Sequence, residues 1–123
     1  MSASELDTAQ QFQEAVEGAL RTGDLEPVIA LVAPDVECVT PVHSVYGVDA
    51  FTAELRQTRP SDSFDVELEG GDWKPLGSGR YLREIRAHFR SKATGDLSYS
   101  RDRSFELTIR EGKISRYEMR FDG

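Results

Sequence analysis

Residue 64 divides this chain by the period of its apolar residues. Before it they recur at steps of three and four; after it they alternate. In 5–21, "ELDTAQQFQEAVEGALR", Leu6, Ala9, Phe12, Val16, Ala19 and Leu20 form one helical stripe. In 64–69, Phe64, Val66 and Leu68 alternate with Asp65, Glu67 and Glu69, the pattern of a half-buried strand. Helices first and a run of strands last predict an α+β layout closing in an antiparallel meander.

Local signals set the boundaries. Thr22-Gly23-Asp24 stops the first helix with a glycine and offers an aspartate cap to a second, predicted over 25–32 with Pro27 in its first turn. Pro34-Asp35 ends that helix. Residues 36–40 predict a short strand stopped by Pro41, and 42–46 predict a loop. A third helix begins at Gly47-Val48-Asp49 and closes before Pro60, because the residue ahead of a proline avoids helix. Residues 79–91, 97–110 and 113–121 predict three long strands, with Glu111-Gly112 as a tight hairpin between the last two. The predicted order is α-α-β-α-β-β-β-β, in a single domain spanning 1–123.

With 123 residues the chain needs no disulfide or metal to sustain a core, and its single cysteine, Cys38, forms no intrachain disulfide. No Cys/His cluster has zinc spacing, so neither metal nor cofactor is expected. The opening "MSASELDTAQ" has no apolar run, and no apolar stretch reaches 18 residues; a cytoplasmic protein without a membrane partner is the expectation. A formal net charge of −7 argues against a nucleic-acid partner. Cys38 reads as a small buried residue, since no base is identifiable beside it.

Strand parity sorts the β residues into two faces. In 81–91 the more apolar face holds Tyr81, Arg83, Ile85, Ala87 and Phe89; the other holds Leu82, Glu84, Arg86, His88 and Arg90. In 97–109 the apolar face holds Leu97, Tyr99, Arg101, Arg103, Phe105, Leu107 and Ile109. Antiparallel partners point to the same side, so these sets must meet, which needs an odd-length loop or a bulge near 92–96. One such register puts Phe89 opposite Tyr99, Ala87 opposite Arg101 and Ile85 opposite Arg103. Arg83, Arg101 and Arg103 then share the apolar face. A buried guanidinium needs a carboxylate, water or an anionic ligand. Each either snorkels to a rim and pairs, or lines a pocket for an acidic molecule.

The segments "TGDLEPVIALVAPDVECVTP", "YGVDAF" and "REGKISRYEMRFDG" resemble the NTF2-like superfamily, in particular its SnoaL-like and ketosteroid-isomerase-like members. The resemblance covers nearly the whole chain. It implies a cone of three N-terminal helices packed on a curved antiparallel sheet, a largely apolar pocket and a homodimer. The isomerases' aspartate base falls at Thr40, their helix tyrosine at Val16 and their protonated aspartate near Phe105, so steroid isomerisation by that mechanism is rejected. The cyclases' acid–base aspartate falls at Asp122, whereas His88 lies on the polar face.

The candidate ligand-binding residues are therefore Thr40, Tyr46, Tyr81, Arg83, Tyr99, Arg101 and Arg103. His43, on the loop after Pro41, and Asp122 are the candidate acid–base groups. Trp73 reads as a core or dimer contact. Three functions stay open: an isomerase, cyclase or hydrolase acting on a small apolar or acidic molecule; a ligand-binding module without chemistry; and a dimerisation domain using Glu84, Arg86, His88 and Arg90.

Overall fold

A computed structural model describes residues 2–42, 44–58 and 64–122. Three helices, α1 (Ser2–Thr22), α2 (Glu26–Ile29) and α3 (Val48–Thr58), accompany seven strands: β1 (Val32–Val39), β2 (Ser44–Tyr46), β3 (Phe64–Gly70), β4 (Lys74–Gly77), β5 (Arg80–Ser91), β6 (Leu97–Arg110) and β7 (Lys113–Asp122). The α+β class holds. The strands form one unclosed, curved sheet in the order β2-β1-β7-β6-β5-β3, with β4 also paired to β5. All pairs are antiparallel except β1 with β7.

Three boundaries differ from the sequence reading. The second helix ends at Ile29 instead of 32, and the strand predicted from 36 begins at Val32. Pairing with β7 decides this: the Ile114 amide donates to the Leu31 carbonyl at 2.9 Å, and Val32 lies opposite Ile114. The register slips between Val32 and Glu37, the stretch that holds Pro34. Residues 44–46, predicted as loop, turn back as β2 and pair with 37–39. Lys74–Gly77 adds the short β4, which the sequence reading did not include.

The two-residue turns follow from backbone sterics. Ser78 and Gly79 join β4 to β5 with φ of 55° and 76°; Glu111 and Gly112 join β6 to β7 with φ of 54° and 76°. Two successive positive φ values suit the right-handed twist of the flanking strands. Gly79 is further fixed by space, since a Cβ there would lie 2.6 Å from the Ile109 carbonyl oxygen.

The predicted register holds: Phe89 faces Tyr99, Ala87 faces Arg101 and Ile85 faces Arg103. The loop 92–96 has five residues, and a one-residue slip follows at Arg90 opposite Leu97. The inner face packs on the helices through aromatic rings. Phe12 of α1, Phe51 of α3 and Tyr117 of β7 meet with centroids 5.5–6.2 Å apart. Val28, Val36, Cys38, Leu107 and Ile114 are fully buried around them.

The outer face is a lattice of opposite charges. Glu106 accepts from Arg80 and Arg120, Glu118 accepts from Arg120 and Arg116, and Glu37 accepts from Arg116 and the Tyr46 hydroxyl. Glu106 and Glu118 lie directly opposite each other, and Arg120, bonded to both, offsets the repulsion that two facing carboxylates would otherwise bring.

Candidate functional site

The inner face encloses a small cavity between α1 and the sheet, with a volume of about 30 Å³. Phe12 and Val16 of α1, Leu68 of β3, Trp73, Phe105 of β6 and Tyr117 of β7 make its wall almost wholly apolar. Gln13, Glu17 and Arg83 also border it. Space of this size admits one or two waters at most, and an apolar lining favours an empty void. The helical stripe of α1 supplies Phe12, Val16 and, one step round, Gln13. Trp73 donates its indole N–H to the Gln13 Oε1 at 3.0 Å, tying α1 to the segment between β3 and β4.

Arg83 is the cation at the cavity wall. It is 7% exposed, and its Nε donates to the Gly71 carbonyl at 3.0 Å. Burial pulls the guanidinium below its ordinary pKa, while the negative charges of Glu17 and Asp72 act in the opposite sense. Tyr117 is buried, and burial pushes its hydroxyl well above the usual phenol range. Cys38 lies close by; burial first, and then Glu54, push its thiol up to about 11. A thiol at that pKa is protonated at neutral pH and is a poor nucleophile.

The seven candidate binding residues fall in four places. Arg83 borders the cavity. Tyr81 is buried deeper along β5, its hydroxyl donating to Glu5 Oε1 of α1 at 2.8 Å; burial and then that bond raise its pKa. Tyr99, Arg101 and Arg103 share the inner side of β6 but lie farther out. Tyr99 is 38% exposed and stacks on Phe89 at 4.5 Å, with Phe64 edge-on at 5.7 Å. The Arg101 guanidinium lies over the Tyr99 ring at 4.9 Å, a cation–π geometry. The Arg103 pKa is lowered by burial and then by the adjacent positive charge of Arg101.

The other two sit beside β1. Thr40 follows the strand end, and its Oγ1 accepts from the Val42 amide at 3.3 Å. Tyr46, 68% exposed, is on β2. Of the acid–base candidates, His43 lies outside the described residues, and the Asp122 backbone pairs with Asp102 near the end of β7. The structure does not gather these residues round one hollow. Parity placed the arginines on the correct side of the ribbon; the length of β5 and β6 beyond the helices separates Arg83 from Arg101.

The cavity wall holds residues that the sequence reading did not include among the binding candidates: Phe12, Gln13, Glu17, Leu68 and Tyr117. The helical stripe of α1 already marked Phe12 and Val16 as inward. Leu68 and Tyr117 required the β3–β5 and β6–β7 registers. Among the described residues no group of three or more His, Cys, Asp or Glu side chains could hold a metal ion, and no helix is long and apolar enough to cross a membrane.

No protein-family model matches the sequence, and no curated protein matches it either. Solved structures do match. An NTF2-like protein of Anabaena variabilis superposes with a TM-score of 0.82 at 18% identity, covering 100% of this chain and 92% of the other. A Rhodopseudomonas palustris protein provisionally named an isomerase gives 0.75 at 16% identity, over 94% and 89% of the two chains. A provisionally named polyketide cyclase of Xanthomonas campestris gives 0.71 at 20% identity, over 96% and 93%. Identities this low carry the architecture and no more. The α+β fold of this chain, helices with a curved, unclosed sheet, is thus shared with those structures and is NTF2-like.

Proposed function

We propose that this chain is a small-molecule pocket protein whose ligand is an apolar acid held between α1 and the inner face of the sheet. The observation that carries the reading is Arg83, a buried guanidinium at the wall of an otherwise apolar cavity. A buried arginine is a strong anchor for a carboxylate, which it grips through two parallel hydrogen bonds. The aromatic and aliphatic wall would take the rest of the ligand. The cavity is smaller than any such ligand, so entry requires α1 or Trp73 to move aside. The Gln13–Trp73 hydrogen bond is the contact that must yield.

Binding is favoured over isomerisation at this place. Val16 and Phe105 both border the cavity. They occupy the positions where the resemblance locates the isomerases' tyrosine and aspartate, and neither side chain can donate or take a proton. The provisional isomerase name of one structural neighbour therefore does not carry over to this wall.

The test is calorimetric titration of the purified chain with medium-chain fatty acids and aromatic carboxylic acids, alongside thermal shift. Binding is expected for at least one acid and is expected to weaken about tenfold or more in Arg83→Leu. An unchanged affinity in Arg83→Leu, or no acid bound at all, would overturn the reading.

A dimerisation role is the second reading. The mixed charges of the outer face favour it, because a surface carrying both signs can be complementary to its own two-fold mate. Sedimentation of the chain at low and high salt measures it, with a salt-sensitive dimer as the expected outcome.

A further inference from the structure

On the face of the sheet opposite the cavity, three side chains form an unbroken hydrogen-bonded line. The Ser100 Oγ lies 2.8 Å from His88 Nδ1, and His88 Nε2 lies 2.8 Å from Glu69 Oε2. We propose that Ser100, His88 and Glu69 form an acyl-transfer site that hydrolyses short-chain carboxylic esters.

The protonation pattern follows from the partners. An ionised carboxylate only accepts, so Glu69 selects the neutral tautomer with hydrogen on Nε2. That leaves the Nδ1 lone pair to accept the Ser100 hydroxyl proton. Nucleophile, base and orienting carboxylate are thus in hydrogen-bond reach in the required order, with the two ring nitrogens exchanged relative to the usual serine-hydrolase arrangement. Three separate strands hold the line in place: Glu69 is on β3, His88 on β5 and Ser100 on β6, with His88 directly opposite Ser100. The imidazole is only 18% exposed, which restricts its rotation.

Room and charge for a substrate lie alongside. An open groove of about 540 Å³ begins beside the Glu69 and Arg86 end of the line and runs past Leu82, Ile85, Asp102 and Arg120; His88 and Ser100 stand outside its lining. Arg86 is two residues before His88 on the same face and pairs with Asp102, so it is a diagonal neighbour of Ser100, roughly 7 Å away along the sheet. Asp102 engages its Nε and Nη2 at 2.8 and 3.5 Å. The remaining guanidinium N–H groups are the donors for an oxyanion forming beside Ser100. The groove wall mixes charged side chains with Leu82 and Ile85, an apolar stretch that suits a short acyl group.

The reaction balances with water as the second reactant. Ser100 Oγ bonds to the acyl carbon as its proton passes to His88 Nδ1, and Glu69 stabilises the imidazolium. The ester C–O bond breaks, and the proton on Nδ1 goes to the departing alcohol oxygen. Water then attacks the acyl-serine, its proton passes through Nδ1 to Ser100 Oγ, and the carboxylic acid leaves.

The experiment treats the full chain with a fluorophosphonate probe, locates the label by peptide mass spectrometry, and follows p-nitrophenyl acetate hydrolysis. Label on Ser100 is expected, with hydrolysis abolished in Ser100→Ala and reduced about a hundredfold or more in His88→Gln. Glu69→Gln is expected to lower kcat with little change in KM. A Ser100→Cys variant supplies a second readout: its alkylation by chloroacetamide should slow when His88→Gln is added. No label at Ser100, hydrolysis undiminished in Ser100→Ala, or alkylation of Ser100→Cys indifferent to His88 would each overturn the proposal.

Discussion

Glu106 points to the outer face of β6 and is nevertheless only 5% exposed, because the side chains of Arg80 and Arg120 close over it at 2.9 and 3.0 Å. Burial alone pushes its carboxyl up; the hydrogen bonds and charges of the two arginines outweigh that and hold it below the ordinary value. A depressed carboxyl stabilises the fold above its unfolded pKa and loses that contribution as pH falls through the folded one. Glu106→Gln is expected to cost about 2 kcal/mol near neutrality. The gap to the unmodified chain should shrink below the ordinary glutamate value of 4.5, as measured by denaturant unfolding across that range. A constant gap at all pH values would show that packing, not charge, accounts for the loss. Parity alone assigned Glu106 to the polar side of the ribbon. It could not show that two arginines would bury it, because Arg120 reaches Glu106 only through the β6–β7 register, with Arg120 opposite Ser104.

At the scale of elements, turns and registers were the most legible features. Glu111-Gly112 forms the tight hairpin that its composition predicts. The odd loop at 92–96 followed from requiring two apolar faces to meet. The second helix and β1 were less legible because "LEPVIALV" satisfies helix spacing and strand propensity alike. Pairing with β7, more than 80 positions along the sequence, settles it. Similarly, β4 has no alternating pattern of its own and exists by pairing with β5. The hairpin turn supports a prediction at this scale. Glu111 holds a φ of 54°, which costs a residue with a Cβ roughly 1 kcal/mol. Asparagine tolerates that region better, so Glu111→Asn is expected to raise the melting temperature by about 2–4 °C. Calorimetry of the two chains checks this, and a lower melting temperature would refute it.

Across the whole molecule, the helices cover one end of the sheet and leave the other bare. Near the covered end Tyr81, Ile85, Leu107 and Ile109 are buried; at the far end Leu97 and Tyr99 are exposed. Phe64, Phe89 and Tyr99 pack on one another there. Local opening follows the density of buried apolar contacts. Backbone amides of 89–99 are therefore expected to exchange hydrogen faster than those of 81–85 and 105–109, and equal protection at both ends would contradict this. Strand parity assigns faces to the ribbon but says nothing of how far it extends relative to the helices. For that reason the tyrosine and arginines of β6 could be assigned a side but not a neighbour.

The parallel contact between β1 and β7 also governs the order in which the chain can mature. As the polypeptide leaves the ribosome, β1 emerges early with only the three-residue β2 to lean on. Its principal partner is about eighty residues behind it. The helices can coil promptly, yet their apolar stripes find no complete floor until β7 has been made. A nascent chain of this design therefore carries sticky, half-formed surface until β7 emerges, and loss of β7 would deprive β1 and the helices packed beside it of their anchorage.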